Sequence, residues 1–142
     1  MPTTPHNAPA RYVPPFSMAF ATAPGETDVV SQANPLPVAT APTASPASLT
    51  GTTNVSGIYG PFVPVSGRPV MLSLSGTWTG TVKITRSTDG GATRLPLTAM
   101  GDSYGSYSAN ICEPVWEEGE SAAQLYLDVT MATGALTYRM GQ

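Results

Sequence analysis

Ser75–Thr93, SGTWTGTVKITRSTDGGAT, decides the fold of this chain. Val82 and Ile84 alternate with Thr81, Lys83 and Thr85, which is the period-2 signature of a half-buried β-strand. Trp78 marks where that strand begins. It runs into Ser87-Thr88-Asp89-Gly90-Gly91-Ala92-Thr93, where two glycines are able to take positive φ and Asp89 is able to accept from backbone N–H groups ahead of it. A strand followed by such a turn predicts a hairpin, with Ser87, Asp89, Gly91 and Thr93 as its structural turn residues.

The neighbouring segments repeat this grammar of strand and turn. Thr53–Tyr59 reads as a weak strand, and Phe62-Val63-Pro64-Val65 as an edge piece, because Pro64 cannot donate to a ladder. Val70, Leu72 and Leu74 alternate with Met71, Ser73 and Ser75. Beyond the turn, Leu95 and Leu97 point inward, and Tyr107, Ala109 and Ile111 share a face. Glu113–Gly119, EPVWEEG, breaks the pattern and reads as a loop or a single helical turn. Ala123, Leu125, Leu127, Val129 and Met131 then form the most regular strand, Gly134 turns the chain, and Leu136, Tyr138 and Met140 close it. No helical i, i+3, i+4, i+7 pattern persists for ten residues. The expectation is an all-β, antiparallel β-sandwich of seven or eight strands, jelly-roll-like or immunoglobulin-like, over residues 51–142.

Residues 1–50 differ in kind. Ten of the fifteen prolines lie before Ala47, and thirteen of the fourteen glycines lie after Thr50. Proline at that density removes ladder donors and fixes φ, so this Pro/Ala/Thr-rich segment predicts a long extended arm without sheet or helix. Fully extended, some fifty residues reach on the order of 150 Å. The arm is not uniformly polar: Tyr12, Val13, Phe16, Met18 and Phe20 form one apolar patch, Val29 and Val30 a second, and Pro35, Leu36, Pro37 and Val38 a third. Apolar patches on an extended segment predict partner-binding anchors that order on docking. Residues 39–48 contain only Ala, Thr, Pro and Ser and read as a spacer.

Composition narrows the function. The chain has 142 residues, only 11% of them charged, with a net charge of −3. Lys83 is the single lysine, and the arginines are scattered, so no basic patch for nucleic acid is predicted. The N-terminus lacks the basic and apolar regions of a signal peptide, and no run approaches the ~18 apolar residues of a membrane span. A soluble protein without a membrane or nucleic-acid partner is expected. Its surface, poor in charge, is expected to be covered in part by other subunits.

Few residues offer chemistry. His6 is the only histidine and lies in the arm, which argues against His-based nucleophilic catalysis and His/Cys zinc sites. Cys112, the only cysteine, reads as a small buried hydrophobe. Glu113, Glu117, Glu118 and Glu120 are the one cluster of charge. Glycoside hydrolysis or calcium binding needs more oxygens at set distances, so the cluster reads as a solvated face or as a partner for a neighbour's arginines. No enzyme activity, cofactor or metal is expected. Among the aromatics Trp78, Tyr104, Tyr107, Trp116, Tyr126 and Tyr138, the two that stand out for contact with a partner or a sugar are Trp116 and Tyr126, the latter on the polar face of its strand.

Ser87, Asp89, Gly91 and Thr93 resemble the Asp-box hairpin S-x-D-x-G-x-T-W, with Arg94 where the aromatic residue would stand. That motif is a folding device. Taken together, Asn34-Pro35-Leu36-Pro37-Val38, the block from Phe62 through the hairpin, EPVWEEGE at Glu113–Glu120 and the ending LTYRMGQ are similar to small structural proteins of tailed bacteriophages. The resemblance implies a virion component, and no catalytic residues come with it. It implies a capsid decoration or cement protein, dimeric or trimeric, whose arm binds the major capsid protein or another virion protein. The alternatives are a head–tail connector or tail-fibre anchor, and a carbohydrate-binding module for host attachment.

Overall fold

The structure is a computed structural model, and it describes residues 18–36, 38 and 43–142. Two units are distinguished, Met1–Pro42 and Thr43–Gln142. The second therefore begins earlier than position 51. Arg68 explains part of this: its Nη1 donates to the Thr43 carbonyl at 3.1 Å and its Nη2 to Ser45 Oγ at 2.9 Å, which ties the end of the spacer to the sandwich.

In the first unit, β1 (Ala19–Ala23) and β2 (Glu26–Val29) pair antiparallel around Pro24-Gly25. Val30 N–H adds a bond to the Met18 carbonyl at 2.8 Å. The reading of the arm as free of sheet is corrected here. Its prolines crowd the stretches on either side, and the single proline between Phe16 and Asn34 stands at the turn, where no ladder donor is needed. Ser31 and Asn34 then close a tight turn on each other through backbone bonds of 2.9 and 3.1 Å.

In the second unit all pairings are antiparallel. The strands are β3 (Leu49–Thr53), β4 (Gly57–Phe62), β5 (Pro69–Ser87), β6 (Leu95–Pro96), β7 (Thr98–Ala99), β8 (Asp102–Ser103), β9 (Ser106–Tyr107), β10 (Ile111–Glu117) and β11 (Gln124–Gly141). The frame is a ribbon of two long strands, β5 with 19 residues and β11 with 18, paired from Gln124↔Ser87 to Gly141↔Met71. β10 and β3 flank one half of this ribbon; β4, β6 and β9 flank the other. Among the described residues there is no helix.

Sequence reading divides this ribbon wrongly. Val70–Ser75 and Trp78–Arg86 are one strand, so Trp78 lies within it, and Gly134 does not reverse the chain but sits inside β11 opposite Trp78. Gly80 (φ 148) and Gly134 (φ 87) mark the bend, and between them β11 carries one extra residue, Ala132, at a register shift between Met131 and Thr133. A one-residue bulge moves the inward face from one parity to the other. Leu125, Leu127 and Val129 are buried before it, and Leu136, Tyr138 and Met140 after it. Both halves of the bent ribbon thus supply a single core with Val70, Leu72, Leu74, Val82, Ile84, Phe62, Leu97 and Val115. The architecture is a sandwich made by bending long strands.

Other expectations change for local reasons. Thr53–Tyr59 is two strands, because Thr53 Oγ1 accepts from the Val55 N–H at 3.1 Å and turns the chain between β3 and β4. Glu113–Gly119 is neither a helical turn nor mainly loop. Most of it belongs to β10, whose bulge between Pro114 and Trp116 accommodates the proline on an edge strand. Leu97 is buried, but Leu95 is 64% exposed.

Candidate functional site

The end of β5 and the turn after it form a closed set of bonds. Ser87 Oγ donates to Asp89 Oδ1 at 2.7 Å and accepts from the Gly91 N–H at 2.9 Å; both Asp89 oxygens accept from the Thr93 N–H, at 2.9 and 3.0 Å. The Thr93 bond and the Ser87 hydroxyl hold the Asp89 carboxyl down at about pKa 2. Its folded value lies below the unfolded one. The turn therefore has the full support of the carboxylate above the ordinary carboxylate range and loses it as pH falls toward 2. Asp89→Ala is expected to speed hydrogen exchange of the Gly91 and Thr93 amides. Exchange at Val82 and Val129, inside the ribbon, should stay unchanged.

Beside this turn lies an ion-pair network that sequence reading did not anticipate. Arg86, on β5, donates from Nε to Glu118 Oε2 and from Nη2 to Glu118 Oε1, both at 2.8 Å, and from Nη2 to Glu120 Oε2 at 2.7 Å. Trp116 Nε1–H donates to Glu118 Oε2 at 3.2 Å, and the Glu120 N–H to Glu118 Oε1 at 2.9 Å. Four donors thus occupy the two oxygens of a carboxylate that is only 2% exposed. The fork on Arg86 is the main reason its pKa is lowered to about 2, and the Arg86 guanidinium is raised in turn. Near neutral pH Glu118 is an ionised strut between β5 and the end of β10. The acidic cluster is therefore not a uniformly solvated face, since two of its members meet an arginine of the same chain. Among the described residues no group of three His, Cys, Asp or Glu could hold a metal ion.

Together these elements border an open cleft of about 370 Å³, lined by Leu95, Pro96, Leu97 and Trp116 on its apolar side and by Arg86, Ser87, Asp89, Thr93 and Glu118 on its polar side. Trp116 is half-buried. Its placement in the cleft wall depends on β10 running beside β5 and on the Glu118 bond that orients the indole.

Tyr126 is corrected. It is 7% exposed, its hydroxyl donates to Gln124 Oε1 at 2.7 Å, and the Arg94 guanidinium sits 5.5 Å from its ring centroid. The turn and Arg94, whose Nη1 bonds the Gly91 carbonyl at 2.8 Å, roof over the polar parity of the strand. Tyr126 is thus withdrawn from partner or sugar contact. Tyr138 is buried against Tyr59, with ring centroids 5.2 Å apart, and Trp78 donates to Asn110 Oδ1 at 2.8 Å. Cys112 is also corrected: it is exposed, because its place opposite Ser73 puts it on the outer side of edge strand β10.

Of the arm's anchor residues, Met18, Pro35, Leu36 and Val38 are exposed and Phe20 is partly so. Tyr12, Val13, Phe16 and Pro37 lie outside the described residues, as does His6. Compared with protein-family models, with curated proteins and with solved structures, the chain matches none.

Proposed function

We propose that this chain is a non-enzymatic accessory structural protein of a tailed-bacteriophage virion, a decoration or cement protein that binds the major capsid protein. One observation carries the reading. The chain joins a compact β-sandwich to a separate N-terminal unit in which Met18, Val29, Leu36 and Val38 are 65%, 54%, 40% and 76% exposed. Large apolar side chains left in water along a tether are suited to docking. Four anchors spread over a long segment gather affinity from several subunits, each contact being small. The sparse charge of the sandwich suits a module that is one copy among many on a shell.

The test is co-sedimentation with shells that lack the protein, together with gold-labelling of the C-terminus. The truncation belongs at Pro42 and not at position 48, because Thr43 and Ser45 are held by Arg68. Residues 43–142 are expected to unfold cooperatively within a few degrees of the full chain but to lose at least about tenfold in shell affinity. Label from the full chain should cover the whole shell. Label confined to one vertex, or equal binding by the truncated chain, would overturn the assignment.

A further inference from the structure

We propose that the cleft between the Ser87–Thr93 turn and Trp116 receives the Arg11–Phe16 stretch of a second copy of this chain. The inference rests on the reading of the arm as a binding element and names a receptor for it.

The cleft sets the chemistry of its ligand. Leu95, Pro96, Leu97 and Trp116 give it an apolar wall, and Leu95 leaves most of its side chain in water at the edge. Its charge is unbalanced: Arg86 reaches the cleft but is shared by Glu118 and Glu120, and Asp89 forms no ion pair among the described residues. Of the two carboxylates that line the cleft, Glu118 already holds its guanidinium, which leaves the Asp89 charge without a cation. A fitting ligand is extended, carries apolar or aromatic side chains and prolines, and brings one cation. Proline-rich segments suit grooves lined by aromatic residues and proline, since they are already extended and lose little entropy on docking.

One stretch of this chain has that composition: Arg11-Tyr12-Val13-Pro14-Pro15-Phe16. Arg11 is the only Lys or Arg in the first fifty residues. Asn34–Val38 offers two prolines and no cation, so it lacks the group that would meet Asp89. With the β1–β2 hairpin holding Ala19 opposite Val29, the chain between Phe16 and Thr43 has an upper limit of roughly 50 Å on its reach, at about 3.1 Å per residue outside the hairpin. A two-fold exchange would seat two arms in two clefts, and the second contact would reinforce the first.

The experiment uses the full chain in sedimentation velocity from low to high micromolar concentration. The wild type is expected to form dimers. Leu95→Asp, at an exposed position, and Tyr12→Ala/Phe16→Ala, in the arm, are each expected to weaken dimerisation at least about tenfold. At a concentration where each variant is monomeric, mixing the two should restore a heterodimer, because the first keeps an intact arm and the second an intact cleft. Arg11→Glu should also weaken association, and added salt should narrow its difference from wild type. A wild type that is monomeric throughout, a dimer indifferent to both variants, or variants that fail to complement would each overturn the proposal. No shell is present in this assay, so its failure leaves the shell-binding reading to be decided by co-sedimentation.

Discussion

Gly134→Ala is expected to destabilise the sandwich by at least about 3 kcal/mol. Gly134 has φ 87, a conformation that costs an L side chain energy by itself. The added Cβ would overlap the Thr77 carbonyl oxygen and lie 2.8 Å from Trp78 Cα. Those are backbone atoms of the paired strand, so relief requires opening the ladder where the ribbon bends. Gly80 is constrained in the same way on β5, where a Cβ would overlap the Thr130 carbonyl oxygen. For a unit of about one hundred residues, such a loss corresponds to a fall in Tm of roughly 12–24 °C. Gly119→Ala is the control: nothing lies within 4 Å of its added Cβ, and no change beyond about 0.5 kcal/mol is expected. Urea unfolding of the two variants measures the difference. Equal midpoints would mean that the bend does not depend on Gly134.

The second large effect is at Glu118. Glu118→Ala leaves a guanidinium that is only a quarter exposed with Glu120 alone, and it strips the Trp116 and Glu120 N–H groups of their acceptor. Removing one partner of a buried pair costs about 3–5 kcal/mol. The partial exposure of Arg86 places this case near about 3 kcal/mol. Replacing both partners by apolar residues should cost less than Glu118→Ala alone, because no charge is then stranded, and a double-mutant cycle would read the coupling. The pH dependence has a definite sign. Glu118 has a folded pKa of about 2 against 4.5 ordinarily. Its contribution is complete above pH 4.5 and disappears as pH falls through 2. The stability gap between wild type and Glu118→Ala should therefore close across that window. Glu117→Ala, at an exposed position, should change little at any pH.

The Asp89 turn could be derived from the sequence because all its donors and acceptors lie within seven consecutive residues. The long ribbon could not. Ser75–Thr81 offers no apolar alternation, so it looks like a break between two strands, and only pairing with Thr130–Thr137 makes it continuous. Pro114 and the adjacent glutamates look like a loop until β5 provides a partner for their segment. The burial of Tyr126 is hidden from the sequence for a related reason. Its parity in β11 is outward, but outward of the sheet is not outward of the molecule once Arg94 and the turn fold across it.

Legible along the chain are the all-β antiparallel class, the parity of the buried residues on either side of the bulge, the turn at Ser87–Thr93 and the contrast between a proline-rich lead and a glycine-rich domain. These follow from side-chain alternation, φ preferences and bonds between near neighbours, which act along the chain. Long-range packing makes two long strands bend as one ribbon, locks Glu118 to Arg86 thirty-two residues away, and turns Trp116 toward a cleft while Tyr126 is covered. Each of those depends on which segments are brought side by side, and burial and pairing across such distances are properties of the packed chain.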